Sequence, residues 1–343
     1  MKHGFSLALL LSLFSLLQCT GREIPDIKQT RQTLFEQKIP YEGGERAKLR
    51  AQHYIISNER RIDMFAPYLK NLGGIYIGVG TDQNLTFAAW AKSEYVWLMD
   101  FDDVVVAINQ IHIQFLKDCA DFTCFKAKWS NINTTENKAS VLANFTDPDR
   151  REDAETAIEL STGKYSGVIY RFNELNLMTR RFGFHSFHDT PEDYSYLREL
   201  AMQRRITAIR GDLTKIGTLQ LLGKRAASMQ LPVKVLYTSN AEEYFRYPQE
   251  FRTNILSLPV DETSLLVRTI TSGTKGTYGF PDGERYPDQV PFHYNIQNLQ
   301  NMQGWMRSDQ KLSIHSVMKN FEILQKGFSR AANPAPAQAT VEK

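Results

Sequence analysis

Apolar residues in the middle of the chain gather in short unbroken runs, and the stretches between them carry apolar positions at helical spacing. Runs rich in β-branched and aromatic residues at 75–79, 95–99, 206–209, 233–237 and 265–269 read as strands. Residues 85–91, 213–229, 241–245 and 251–256 read as helices. A strand that is apolar on both faces must be covered on both, and helices between such strands set parallel neighbours side by side. The pattern predicts an α/β fold built on a doubly wound, mostly parallel, Rossmann-like sheet with right-handed crossovers.

Around that core the pattern changes. Residues 20–72 form a tether and a helical lead-in, because Leu49, Tyr54, Ile55, Ile62, Phe65 and Leu69 keep a helical period that stops before Gly73-Gly74. Residues 73–330 make the Rossmann-like domain, interrupted at about 118–191 by a helical or loop insertion with polar (130–138) and charged (147–159) stretches. Two placements of the insertion stand: a cap over the ligand edge, or a peripheral elaboration. Residues 331–343 are poor in bulky side chains and rich in Pro and Ala, which predicts a disordered tail.

The N-terminus carries Lys2 and then an apolar run from Gly4 to Leu17 relieved only by serine. The run is shorter than the roughly 20 residues needed to cross a bilayer, so residues 1–19 read as a secretory signal peptide of an exported protein. Leu16-Leu17-Gln18-Cys19 resembles the lipobox of bacterial lipoproteins, whose cysteine is acylated, although Gln18 stands where that motif usually has a small residue. The resemblance implies a bacterial cell-envelope protein anchored to a membrane through lipid on Cys19, facing the periplasm or the surface. A secreted chain without lipid is the alternative.

Composition narrows the function classes. A hydrophobic fraction of 42% excludes disorder throughout, and a net charge of +3 is too small to make a nucleic-acid surface. Setting Cys19 aside leaves Cys119 and Cys124, compatible with either a small loop disulfide or two free thiols. Sequons at Asn84, Asn133 and Asn144 read as chance. His185 and His188 have no further ligand cluster, so no metal is expected, and His112 reads as a packing or surface residue. Serine-hydrolase elbow, Cys-X-X-Cys and phosphate-loop motifs do not occur.

The chemistry-bearing signal lies after the first strand. Gly78 and Gly80 form a turn that admits a ligand to the main chain, and the helix behind it offers free amides. The next strand ends at Asp100, 22 residues after Gly78, where a carboxylate suits the hydroxyls of a ribose. Gln83, in place of a glycine, disfavours a pyrophosphate.

With strand, turn, helix, strand and acid in this order, the chain resembles the class I S-adenosylmethionine-dependent methyltransferases, and more closely an uncharacterised bacterial lipoprotein family with such a core. The likeness spans about residues 70–270 and is carried by 78–84, 98–102, 210–214 and 237–245; the pattern at 291–297 also fits that family. It implies S-adenosylmethionine as cofactor, with Gly78, Gly80, Asp82 and Asn84 at the cofactor turn and Asp100 on the ribose. It further implies Asp212 facing the adenine amine and Ser239 and Asn240 at the catalytic edge. Asp82, Asn240 and Tyr244 would stand nearest a methyl acceptor, and none is singled out as a base. The sequence departs from the family at Tyr76, where an acid is usual, and at Asp82, where a third glycine is usual. Two functions follow: an exported protein that binds S-adenosylmethionine or a related adenosine ligand, or a non-enzymatic surface or periplasmic lipoprotein that uses the fold as a partner-binding scaffold. An exported protein lies outside the compartment that makes this cofactor, which favours the second. The retained polar strand ends favour the first.

Overall fold

The computed structural model describes residues 26–43, 53–272, 277–284 and 291–333. The signal-like segment with Cys19, and the tail from residue 334, lie outside the described residues.

Helix α1 (Ile27–Glu36) is capped by Asp26, which accepts the Lys28 N–H. A 3-10 turn (Ile62–Phe65) and α2 (Ala66–Leu69) precede β1 (Ile75–Val79), α3 (Gln83–Ala91) and β2 (Tyr95–Asp100). Then come α4 (Asp103–Asp118), α5 (Phe122–Ser130), α6 (Thr135–Leu142), α7 (Pro148–Ser161), α8 (Val168–Phe182) and α9 (Pro191–Met202). The chain returns to the sheet with β3 (Ile206–Arg210), followed by α10 (Thr218–Ser228), β4 (Val233–Ser239), a 3-10 turn (Ala241–Tyr244) and α11 (Gln249–Leu256). It ends with β5 (Leu265–Thr271), β6 (Phe292–Asn298), α12 (Leu299–Met306), α13 (Ile314–Val317), β7 (Phe321–Gln325) and β8 (Phe328–Ala331).

These strands form one eight-stranded sheet in the order β3-β2-β1-β4-β5-β6-β8-β7. The first five are parallel, β6 runs antiparallel to β5, β8 is parallel to β6, and β7 is antiparallel to β8. This is the doubly wound, mostly parallel α/β sheet that the apolar runs predict. Alternation along the strands divides the core in two. Tyr76, Val96 and Leu98 face α3, α4 and the insertion helices, whereas Ile75, Ile77, Trp97 and Met99 face α10, α11 and α12. Strand order reverses between β1 and β4, and the crevice at their carboxyl ends is where this fold class binds ligands.

Four expectations are corrected. Of the helical period expected from Leu49 to Leu69, only residues 62–69 are helical among those described, while α1 lies in the part expected as a tether; Pro67 fits only a helix's first turn, and residues 53–61 have no regular structure. Helix α10 begins at Thr218 rather than 213, since the Asp212 carboxylate accepts the Thr214 N–H and closes a turn instead. Strands β6 to β8 lay outside the apolar-run pattern because they carry polar residues, including buried His293, Asn295 and Gln297. Ala331, assigned to the tail, is buried at the end of β8. In the insertion, Cys119 and Cys124 form a disulfide that ties the end of α4 to the first turn of α5.

Candidate functional site

The carboxyl ends of the central strands are crossed by the chain's own N-terminal part, residues 37–43 and 53–61. At the β3 end, Glu42 accepts the Asp212 N–H at 2.7 Å on one carboxylate oxygen and the Thr218 N–H at 3.3 Å on the other. It thereby takes the place at the start of α10 that suits an anion. A Cβ on Gly217 would lie 2.6 Å from Glu42, so glycine is what lets the acid in. Arg210 donates to the Glu42 carbonyl and lies over the Tyr41 ring at 5.1 Å, and the Tyr41 hydroxyl donates to Asp103 at 2.9 Å.

At the β2 end Asp100 is buried, accepting the Gly80 N–H and the Asp102 N–H, each at 3.0 Å. Burial pushes its pKa up to about 7 against those two bonds. His53 meets the Asp102 carboxylate at 2.8 Å, and Asp102 also caps α4 through the Val104 N–H.

The β1 turn is filled from both sides. Asp82 accepts the Ser57 N–H at 2.8 Å and the Arg171 Nε at 2.9 Å. Fully buried Arg171, from α8, also donates to Glu174 at 2.8 Å, to the Glu59 carbonyl at 3.1 Å and to Gln83 at 3.2 Å. Burial opposes its charge, but Asp82 and Glu174 outweigh burial and raise its pKa. The insertion therefore reaches the carboxyl edge and is not peripheral.

At the β4 end the buried Glu59 carboxylate receives the hydroxyls of Tyr237 (2.7 Å), Ser239 (2.6 Å) and Thr269 (3.1 Å). Burial, then the Glu59 charge, drive the Tyr237 pKa well above its usual value. Next to it, Arg60 donates to Glu174 at 2.6 Å, and Tyr294 accepts the Arg60 and Arg61 amides and donates to Glu284. Burial raises the Glu284 pKa to about 7.

The residues expected at a cofactor site are thus brought to one edge, but most are engaged with the protein itself. Gly78 is small for its neighbours: a Cβ there would fall 1.9 Å from Asn84 Oδ1 and 2.6 Å from the Tyr76 ring. Asn84 accepts the Tyr76 hydroxyl at 2.7 Å and donates to the carbonyls of Val79 and Thr81. Tyr76, which replaces the usual acid, thus fixes the turn from below. Asp212 closes its own turn, and Asn240 donates to the exposed Tyr244 at 3.4 Å. Of the two turn glycines, Gly80 has φ +90° with open space where a Cβ would be. Among the described residues no cluster of three or more His, Cys, Asp or Glu side chains could hold a metal. His188 instead pairs with Ser186 and Asn176.

Sequence reasoning missed Glu42, Glu59, Arg171 and Glu174. The pair at 171 and 174 has the spacing of one helix face, and Glu59-Arg60-Arg61 is a charge cluster in an apolar lead-in; neither marks a buried network by itself. A cavity of about 1290 Å³ lies beside β3, lined by residues 35–41, α4 and residues 144–153.

Residues 54–332 match a family described as a domain of unknown function, DUF7790, and the chain belongs to it. No curated protein matches the chain.

Proposed function

For this member of the DUF7790 family, we propose a non-enzymatic role: a Rossmann-like scaffold, exported and held to a membrane through Cys19, that binds a macromolecular partner. One observation carries the reading. Residues 37–43 and 53–61 supply the groups that satisfy the carboxyl edge, with Glu42 on the β3 loop, the Ser57 amide on Asp82, and Glu59 on Tyr237 and Ser239. A ligand would have to displace hydrogen-bonded, largely buried acids, each leaving unpaired partners. The open side of Gly80 is the feature that favours an S-adenosylmethionine site instead.

The two readings separate on thermal unfolding with millimolar S-adenosylmethionine or S-adenosylhomocysteine. A ligand at about 100 times its Kd adds about 2.7 kcal/mol and moves the midpoint by several degrees. The scaffold reading expects no movement. A rise that disappears in Asp100→Ala would establish the cofactor site and overturn it. The anchor is tested separately: Cys19→Ala should release the protein from membranes, and retention would remove lipidation from the proposal.

A further inference from the structure

Strand β3 is an outer strand of the sheet. Two bonds fix which way its backbone faces: Val96 N–H donates to the Arg205 carbonyl, and Gly211 N–H to the Asp100 carbonyl. Backbone groups along a strand point alternately to its two sides. Residues 205, 207, 209 and 211 therefore address β2, while Ile206, Ala208 and Arg210 turn their amides and carbonyls outward. The Arg210 carbonyl receives the Thr218 hydroxyl at 3.1 Å. Among the described residues nothing bonds to the outward groups of Ile206 and Ala208, although these residues are only 3% and 8% exposed. Their edge opens into the groove of about 1290 Å³. Exposed strand edges are normally blunted, covered or paired, and this one is recessed and, among the described residues, unpaired.

We infer that the groove takes an extended peptide segment of a partner protein, which adds to β3 as a further strand. The inference rests on the scaffold reading and names its partner's chemistry. Unpaired amides and carbonyls at alternate residues match the backbone of a strand and no other common ligand. The walls decide between a free segment and a second copy of this chain. Residues 35–41, α4 and residues 144–153 line the groove together with β3, so the edge sits recessed among them and a single extended chain suits it better than a whole second sheet edge. Phe35, Ile113 and Phe145 give apolar lining for alternate side chains, and Lys117 beside Asp118 leaves the rim without a preferred charge. The segment is therefore apolar at alternate positions, of no required net charge, and free of proline where it pairs. Against β3 it would extend about 17 Å, the length of a five-residue strand.

The test selects ligands from a phage-displayed library of short peptides on the purified protein and then modifies their backbones. N-methylation at every second residue should weaken binding about tenfold or more, with the intervening positions tolerant, because each methyl removes a backbone hydrogen bond and adds a steric clash with β3. In the complex, hydrogen exchange at the Ile206 and Ala208 amides should slow by a similar factor. An N-methyl scan without that two-residue period, protection elsewhere, failure to enrich any peptide, or a dimer joined through β3 would each overturn the inference. Cofactor binding in the thermal assay would sink the scaffold reading and leave these outcomes unaffected, so the two failures can be told apart.

Discussion

His112 makes acid sensitivity a sharp test of the structure. It lies on α4, fully buried, with its ring stacked on Phe125 and edge-on to Trp129, and neither ring nitrogen has a hydrogen-bond partner among the described residues. Burial lowers its pKa to about 4, slightly opposed by Asp82. In the unfolded chain the imidazole titrates near its usual value of about 6.5. Between those values the unfolded state holds a proton that the folded state lacks, so stability falls as pH falls. The contribution is complete above about pH 6.5 and gone once pH has dropped through about 4. At about 1.36 kcal/mol per pH unit, the gap amounts to about 3 kcal/mol. Replacing His112 by Phe keeps an aromatic ring among aromatic neighbours and removes the titration. Urea unfolding of both proteins from pH 7.5 to 4, followed by tryptophan fluorescence, isolates the difference, because the depressed His188 and His293 act equally in both. The variant should gain up to about 3 kcal/mol over the parent on descending that range. A difference that stays constant with pH would refute the reasoning and place the ring in contact with water.

Four further outcomes follow from the same geometry. Asp100→Asn should show the opposite sign: a carboxyl raised to about 7 stabilises when protonated and loses that contribution as pH rises through 7, so the variant gains on the parent between pH 5 and 8 in the same urea assay. Arg171→Met, which strands Asp82 and Glu174 in the interior, should lower unfolding stability by about 3–5 kcal/mol by chemical denaturation. Gly80→Ala should lower it by about 1–3 kcal/mol through positive-φ strain alone, and Gly78→Ala by more, for a different reason: its Cβ would fall 1.9 Å from Asn84 Oδ1 in the buried turn. Reducing Cys119–Cys124 with dithiothreitol should lower the melting midpoint by the equivalent of about 2 kcal/mol.

How much could be read from the sequence depended on the range of the interactions. Strands β1 to β5 were legible because burial on both faces makes each an apolar run, as in Tyr95–Asp100. Strand β6 was not, since His293, Asn295 and Gln297 point inward to partners such as Ser329 and Arg268, distant in sequence. The glycine turn and the strand-end acids were found as residues, yet their occupants were not. Gly78 looks the same in sequence whether it makes room for a ligand or for Asn84. Glu42 and Asp212 are 170 residues apart, and Glu59 and Ser239 are 180 apart, so no local pattern marks the carboxylates that fill the edge.

The central claim is that the N-terminal part of the chain closes the carboxyl edge where a cofactor would lie. Hydrogen exchange at the amides of Ser57, Gly80, Asp212 and Thr218, with and without millimolar S-adenosylhomocysteine, tests it most directly. All four donate to buried or half-buried carboxylates, so they should exchange slowly in the free protein and at the same rate with the ligand. Rapid exchange in the free protein, slowed by ligand at Gly80 and Asp212, would contradict the claim and make the edge a working cofactor site.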